Sequence, residues 1–292
     1  MELRTRLRGL VELTRPGNAL MAGVLTFIGA FVAIGVEAVE VGGAWDAPAI
    51  QATAAVAATV FATGAGMVIN DYFDADIDRI NAPDRPIPRG AVSERGALVF
   101  SILLFAGAAA SAALLPPLAI GIAVVNLVAL AVYTQWFKGT PGFGNLVVGY
   151  LTGSTFLFGG AAVGSPAPAS VLFGLAALST VSREIIKDIE DLAGDREEGL
   201  TTLPIAVGER TAMLIAVGAL VVAVVASPVP YLRGTFGEAY LIAVLPADLV
   251  MLYAAYEGYD DPSASQNHLK YGMYLAVVAF VVGRLVVLPG GV

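Results

Sequence analysis

Five long stretches of this chain contain no Asp, Glu, Lys or Arg. They cover residues 16–36, 47–70, 97–137, 139–182 and 211–232. An α-helix needs about 20 apolar residues to cross the hydrocarbon core of a bilayer, and each stretch is long enough for that. Charged residues make up only 14% of the 292 residues, whereas soluble domains contain about 25%. The chain is therefore predicted to be a membrane protein.

Two of these stretches, 97–137 and 139–182, are long enough for two crossings each. Each contains a proline-rich sequence at which a helix is expected to end. These sequences are LLPPLA at 114–119 and GSPAPAS at 164–170. Both stretches are therefore predicted to form helical hairpins.

Two further apolar segments each contain one charged residue. Asp248 interrupts 239–256 and Arg284 interrupts 271–288. With these segments the sequence predicts an all-α membrane protein with nine transmembrane helices. We expect a single membrane-embedded domain over residues 1–292.

The Lys and Arg residues predict which side of the membrane each loop occupies. If the N-terminus is cytoplasmic, fourteen of the sixteen basic residues lie on the cytoplasmic side, all except Arg233 and Arg284. The loops predicted on the other side, 37–46, 114–119 and 164–170, contain no Lys or Arg. We expect a multi-pass protein of the cell membrane with a cytoplasmic N-terminus, an external C-terminus and no cleavable signal.

The chain contains no cysteine and one histidine, His268. This composition excludes disulfides, thiolate metal sites, thiol nucleophiles and clusters of histidine ligands. Any divalent metal must be bound through oxygen, which favours Mg²⁺ or a similar hard cation.

Two acidic clusters share one spacing at the ends of two predicted helices. Asp71, Asp74 and Asp78 lie in NDYFDADID, and Asp188, Asp191 and Asp195 lie in KDIEDLAGD. On a helix the spacing i, i+3, i+7 places three side chains within about 60° of one another. Asn70 precedes the first cluster and Lys187 the second. The offset of 117 residues is what a duplicated half-domain would produce.

Six carboxylates that face one space repel one another unless cations neutralise them. For one cluster alone, a solvated helix end is the alternative explanation. Two clusters in the same register at predicted membrane helix ends favour a functional site. Two or three Mg²⁺ ions held by them would bind a diphosphate.

These clusters resemble the two Asp-rich motifs of the UbiA superfamily of intramembrane prenyltransferases. The resemblance covers essentially the whole chain and implies a UbiA-type bundle with a central cavity. Further stretches narrow it to the branch that makes the second ether bond of archaeal membrane lipids. These stretches are ELTRPGNALMAG, DRPIPRG, YTQWFKGTPGFGN, LTGSTFLFGG and REIIKDIEDLAGDREEGLTTLPI.

The resemblance implies transfer of a prenyl group from geranylgeranyl diphosphate to the sn-2 hydroxyl of geranylgeranylglyceryl phosphate. It implies Mg²⁺ as cofactor, an active site on the cytoplasmic side and the lipid bilayer as surroundings. We expect no nucleic acid and no obligate protein partner. The reaction requires stabilisation of the diphosphate charge and exclusion of water from an allylic cation. Candidates for stabilising the cation are the aromatic residues Tyr72, Phe73, Tyr133 and Phe156.

The resemblance also implies roles for single residues. The catalytic metal ligands would be Asn70, Asp71, Asp74 and Asp78 in one half-site and Asp188, Asp191 and Asp195 in the other. Lys138 and Lys187 match positions that contact the diphosphate, and Tyr133 is a further substrate-binding candidate. Arg85 and Arg89 would cap the phosphates, although the positive-inside rule alone is an alternative explanation for them.

The acceptor brings its own phosphate and needs a further cationic group. Arg183, one turn before Lys187, is the preferred candidate, and Arg15 is the second. Asn18 is expected to bind the glycerol hydroxyl, unless it only caps or packs the first helix. These acceptor residues decide between a glycerol-based and an aromatic acceptor, because the Asp motifs serve both.

Several polar positions have more than one interpretation. Asp71 and Asp78 are both candidates to accept the hydroxyl proton. Asp248 faces the cavity or bonds a neighbouring helix, and Glu184 is a supporting residue on the Asp188 face. Loop 78–95 is predicted to form an ordered cap.

A secondary transporter is a distant alternative function for the whole chain. The position of the carboxylates at helix ends disfavours it.

Overall fold

The computed structural model describes residues 3–34, 47–133 and 139–287. Helices and short connections make up these ranges, which contain no β-strand. The helices of the described residues are α1 Leu3–Leu13, α2 Pro16–Ile34, α3 Pro48–Phe73, α4 Ala75–Asn81, α5 Glu94–Ala112, α6 Pro117–Val132, α7 Phe143–Ala162, α8 Pro166–Glu190, α9 Leu192–Glu197, α10 Leu203–Val207, α11 Glu209–Ala226, α12 Val229–Leu232, α13 Glu238–Glu257 and α14 Pro262–Leu285. The all-α class is confirmed.

Every segment predicted to cross the membrane contains a long helix. By length and composition, six spans of the described residues are apolar enough to cross: α2, α3, α5, α8, α13 and Glu209–Leu232, which joins α11 and α12. Helix α6 is shorter, with 16 residues. The described residues therefore support a multi-pass membrane protein, and nine crossings stay a prediction.

The two predicted proline breaks are confirmed. Helix α6 begins at Pro117 and α8 begins at Pro166, each just after a turn. Proline suits the first position of a helix because its missing N–H would have no helical partner there. The second break is shorter than predicted, since residues 166–170 already belong to α8.

Helix α14 begins nine residues before the predicted apolar segment. The Asp261 side chain caps it by accepting a hydrogen bond of 2.9 Å from the backbone N–H of Ala264, and Pro262 follows the cap. These are strong helix-start signals, and they act independently of apolar character. The first turns of α14 are therefore polar, and they include Gln266 and Lys270.

The long helices pack around a core at the centre of the bundle. Helix α2 packs against α3 and α7, α7 against α8, and α13 against α14, while α14 also contacts α8 and α2. The core contains Ile28, Phe156, Leu172, Tyr240 and Phe280, from five of these helices. The Phe156 and Phe280 rings meet edge to face, with centroids 6.0 Å apart.

Helices α2 and α7 cross at glycines. A Cβ atom at Gly29 would lie 2.1 Å from the carbonyl oxygen of Phe156, and one at Gly159 would lie 2.0 Å from that of Thr26. Only a residue without a side chain fits such backbone-to-backbone contact. Small residues allow this close approach between helices in membranes.

We predict that Gly29→Ala and Gly159→Ala each destabilise the bundle, because the added methyl group pushes α2 and α7 apart. Overpacking of this kind costs about 1–3 kcal/mol. The check is the midpoint of thermal unfolding in detergent.

Gly174→Ala in α8 is the matched control, since nothing lies within 4 Å of a Cβ atom there. Alanine favours helix over glycine by about 0.8–1.0 kcal/mol, so the control should unfold no earlier than the wild type. Equal midpoints for Gly29→Ala and Gly174→Ala would contradict the proposed contact.

Candidate active site

The two Asp motifs share one backbone conformation. Helix α3 ends just before Asp74 and α8 ends just before Asp191. Asp74 has φ −86° and ψ 3°, and Asp191 has φ −83° and ψ 2°. The three acids of each motif therefore do not lie on one uninterrupted helix, the geometry on which their spacing was interpreted. Each helix breaks at its middle Asp and resumes one residue later, because ψ near 0° leaves the helical region.

The break changes little in the placement of the outer acids. The backbone N–H of Asp78 bonds the carbonyl of Asp74 at 2.8 Å, and that of Asp195 bonds the carbonyl of Asp191 at 2.9 Å. Helical hydrogen bonds thus continue across both breaks. The same break at equivalent positions supports the predicted duplication.

Two arginines pair with the first and third acids of the first motif. Arg15 Nη2 lies 2.8 Å from Asp71 Oδ1, and Arg85 Nη1 lies 3.5 Å from the same oxygen while it also pairs with Asp78. Both carboxylates are buried, with 4% and 5% of Asp71 and Asp78 exposed. Arg15 adopts the left-handed conformation at φ 45°, which is strained for a residue other than glycine. Arg15 is the residue directly before α2.

An amide and a lysine bind the second motif. The buried Asn145 donates a hydrogen bond of 2.7 Å from Nδ2 to Asp188 Oδ2, and Lys187 pairs with Asp191. Asn145 was not among the residues predicted for the site. The one sequence feature that could have indicated its role is its position at the end of YTQWFKGTPGFGN, just after a turn. As an uncharged residue it does not stand out there.

Both motifs lie at the same end of the bundle, which we call the motif end. Arg15 joins the start of α2 to the end of α3. Asn18, one turn further along α2, lines the same cavity as Arg183 and Glu184 near the end of α8. In the described ranges no hydrogen bond or ion pair links one motif to the other. Nor do three His, Cys, Asp or Glu side chains there form a group that could hold a metal ion.

A cavity of about 380 Å³ extends from the motif end into the core. Its polar entrance, the cavity mouth, is formed by Asn18, Arg183, Glu184 and Lys270. Apolar side chains, including the aromatic rings of Phe156 and Phe280, line its middle. The cavity thus joins a charged entrance to an apolar interior, as a site for an amphiphilic ligand requires.

Asp248 fits both interpretations that the sequence left open. It lines the far part of the cavity, and it accepts a hydrogen bond of 2.7 Å from Ser227 Oγ just after α11. The Tyr240 hydroxyl donates to the Ser227 carbonyl at 2.7 Å. These bonds satisfy the polar groups at the end of an otherwise apolar space.

The structure separates the four aromatic candidates. Phe156 is buried and lines the cavity, whereas Phe73 is 75% exposed and contacts only Tyr72 among aromatic rings of the described chain. Tyr133, at the end of α6, lies within electrostatic reach of Glu184 and Asp188. Phe156 and Tyr133 are therefore the better-placed candidates.

Loop 78–95 is ordered by contacts with α1 and α3. Arg89 pairs with Glu12 of α1 and donates to the Asp84 carbonyl at 2.6 Å, so it is not directed at the acids of the motifs. Hydrogen bonds from the Arg89 guanidinium and, to a lesser extent, from that of Arg8 hold the pKa of Glu12 below its usual value. The pairing therefore persists as the pH falls into the range where an ordinary glutamate is protonated.

The remaining predicted residues are placed as follows. In the described chain, the side chains of Asn70, Asp74 and Asp195 form no ion pair or hydrogen bond. Arg183 lies 2.8 Å from Glu184 and donates to Gln266 at 3.3 Å. Lys138 lies outside the described residues.

Comparison with known proteins gives concordant results. The sequence pattern of the UbiA prenyltransferase family matches residues 27–278. The chain is 58% identical to digeranylgeranylglyceryl phosphate synthase of Natronomonas pharaonis over 283 residues, which cover 97% of this chain and 99% of that protein. It is 60% identical to the protein of the same name from Halobacterium salinarum over 279 residues, 96% of this chain and 98% of that protein.

Solved structures show the same architecture. One, described as giving insights into the biosynthesis of digeranylgeranylglyceryl phosphate synthase in membranes, matches with TM-score 0.81 and 34% identity over 96% of this chain and 98% of its own. A UbiA homolog from Archaeoglobus fulgidus, bound to GPP and Mg²⁺, matches with TM-score 0.68 and 19% identity over 94% and 99%. At this identity the second match shows the shared fold alone.

We predict that Asn145→Leu lowers stability, because Asp188 then loses its amide partner in a half-buried position. A hydrogen bond to a charged group contributes about 1.5–3 kcal/mol. The midpoint of thermal unfolding in detergent measures the loss. Asn267→Leu on the exposed face of α14 is the control and should change it little.

Replacing both partners, as in Asn145→Leu with Asp188→Leu, should restore most of the midpoint, because no unpaired polar group is left. A double variant as unstable as Asn145→Leu alone would show that the hydrogen bond does not stabilise this end of the bundle.

Proposed function

Since this chain belongs to the UbiA prenyltransferase family, we propose that it transfers a geranylgeranyl group from geranylgeranyl diphosphate to the sn-2 hydroxyl of geranylgeranylglyceryl phosphate. The product carries the second ether bond of an archaeal membrane lipid. Relatives at 56–60% identity that bear the name digeranylgeranylglyceryl phosphate synthase support this reaction. The structural observation that carries it is the pair of equivalent Asp motifs at the mouth end of one apolar cavity.

The acids suit Mg²⁺ by their chemistry. Carboxylate oxygens are the ligands that a hard cation prefers. The one histidine of the chain, His268, is hydrogen-bonded to Glu257, with Nδ1 and Oε2 2.6 Å apart. We assign the metal to both motifs. Its ligands would be Asn70, Asp71, Asp74, Asp78, Asp188, Asp191 and Asp195. When bound, Mg²⁺ neutralises charge on the diphosphate and makes it a better leaving group.

The cations at the motif end support this assignment. Arg85 and Lys187 each pair with motif carboxylates, so they are within reach of a diphosphate that binds there. A diphosphate bound there can replace the carboxylates as the partner of these two cations. Lys138 keeps the diphosphate role that the family resemblance implies.

The apolar cavity supports the second requirement, exclusion of water. As the allylic C–O bond breaks, the diphosphate leaves and a cation develops on the prenyl carbon. The glycerol oxygen then forms the new C–O bond and loses its proton. Tyr133, within electrostatic reach of Asp188, offers an aromatic ring to the cation, and the enclosed apolar walls keep water from competing with the hydroxyl. Asp71 and Asp78 are the proposed proton acceptors.

We place the motif end on the cytoplasmic side, in a chain with nine crossings and a cytoplasmic N-terminus. The distribution of Lys and Arg supports this orientation. The motif end itself carries Arg15, Arg85, Arg183, Lys187 and Lys270, whereas Arg233 and Arg284 lie near the opposite helix ends.

We predict that the purified protein forms the diether product from geranylgeranyl diphosphate and geranylgeranylglyceryl phosphate with Mg²⁺, and that EDTA abolishes this activity. Product formation can be followed by mass spectrometry. A hydroxybenzoate or naphthoate in place of the glyceryl phosphate is the competing acceptor. Preferential prenylation of the aromatic ring would replace the proposed function, and unchanged turnover in EDTA would remove the metal from it.

We predict that Asp74→Ala and Asp191→Ala each lower kcat by about 10²–10³, the usual effect of losing one strong electrostatic contact to developing charge. The double variant should lose less than the product of the single effects, because both acids serve one metal–diphosphate unit. Asp76→Ala, an exposed acid between the motif positions, is the matched control. Fully multiplicative losses would show that the two motifs act separately.

A further inference from the structure

Lys270 gives the cavity mouth its net positive charge. The mouth contains three charged side chains, Arg183, Glu184 and Lys270. Arg183 and Glu184 are 2.8 Å apart and compensate each other. Within the described residues the Lys270 ammonium group has no ion pair and no hydrogen bond, and the residue is exposed. An anionic group is therefore the complementary ligand for this entrance.

Arg183 and Lys270 lie side by side across α8 and α14. Gln266, one turn before Lys270 on α14, accepts a hydrogen bond of 3.3 Å from Arg183 Nη2. Residues four apart share one face of a helix, so Lys270 follows Gln266 along the face that meets Arg183. The buried Nε of Arg183 has no hydrogen-bond partner in the described chain. Buried donors are rarely left unpaired, and this one indicates that an acceptor group belongs at the site.

We propose that Arg183 and Lys270 form a second anion site, which binds the phosphate monoester of the acceptor lipid while the acceptor chain lies in the cavity. This inference rests on the proposed function and adds the place and the residues that hold the acceptor head group. A phosphate monoester carries about −1.5 to −2 charges at pH 7, so one arginine already paired with a glutamate does not balance it. Lys270 supplies the missing cation.

This site is separate from the one that binds diphosphate. Lys187 lies one turn beyond Arg183 on α8 and pairs with Asp191 of the motif, whereas Arg183 lines the cavity. The two sites therefore follow each other along one helix, about 6 Å apart in rise. Such spacing holds the two phosphorylated substrates with their reacting ends close together.

The cavity also orients the acceptor. Lys270 and Phe280 both line it and are ten residues apart on α14, which corresponds to about 15 Å along the axis. A lipid whose phosphate binds at the mouth directs its isoprenoid chain along this wall. The carboxyl group of Asp248 lies in the far part of the cavity and disfavours the reverse orientation, which would bring the phosphate next to it.

The test is Lys270→Gln, with Lys270→Arg as the conservative variant and Arg210→Gln as the control. Arg210 is an exposed cation of α11 that does not line the cavity. We expect Lys270→Gln to raise the KM for geranylgeranylglyceryl phosphate by about tenfold, as the loss of one charge-assisted hydrogen bond does. The KM for geranylgeranyl diphosphate should stay within about twofold. Lys270→Arg should restore most of the acceptor affinity.

A binding experiment without donor or metal gives a second readout. Geranylgeranylglyceryl phosphate should raise the thermal midpoint of the wild type and of Arg210→Gln more than geranylgeranylglycerol, which has no phosphate. In Lys270→Gln the difference between the two lipids should be smaller, because Arg183 alone then binds the phosphate. This comparison reports on the phosphate alone and does not depend on turnover.

The outcomes separate the two proposals. An acceptor KM unchanged in Lys270→Gln, with a wild type that uses this acceptor, overturns the second anion site and leaves the proposed function standing. Equal increases in both KM values also overturn it, because Lys270 would then not discriminate between substrates. A wild type that neither binds nor prenylates the glyceryl phosphate overturns the proposed function and this inference together.

Discussion

Repulsion between carboxylates at the ends of two membrane helices is the constraint on which this structure depends. Buried acids cannot stay charged and unpaired next to lipid, because desolvation and mutual repulsion both disfavour it. The protein meets this constraint with Arg15 and Arg85 at the first motif and with Asn145 and Lys187 at the second. The most buried acids of the motif end are therefore paired within the protein, in part with cations that a diphosphate can bind in turn.

The same constraint explains the position of the cationic side chains. Arg15 adopts an unfavourable left-handed backbone conformation and contacts Asp71, and the loop after the first motif brings Arg85 back to it. Contacts between Arg89 and Glu12 fasten that loop to α1. The loop thus acts as a structural support for the site, and its order follows from buried residues such as Ile87 and Val92.

Much of the fold and part of the site could be predicted from the sequence. Charge-free runs and prolines predicted the long helices because lipid allows few alternatives to an apolar helix. The break at Asp74 and Asp191 could not be predicted, since hydrogen bonds continue across it and leave the sequence period intact. Asn145 was missed because a neutral amide shows its role only through the carboxylate that it contacts.

Contacts between residues far apart in the chain could not be predicted from the sequence. Arg15 was a candidate for the acceptor phosphate, but it contacts Asp71, 56 positions along the chain. No sequence pattern singles out Lys270, because it lies in polar turns before the last apolar segment. Such pairings depend on which helix ends meet, and spacing within one helix carries no information about that.

The glycine crossing of α2 and α7 has a consequence for how such enzymes can diversify. Helix α2 carries Asn18 and follows Arg15, while α7 carries Asn145, so the backbone contact between them ties the two halves of the molecule together. The separation of the halves is thereby set by main-chain atoms and not by the side chains that line the cavity. Mutations in those side chains can therefore change which lipid binds in the cavity. The distance between α2 and α7, and with it the relative position of Asn18 and Asn145, stays the same.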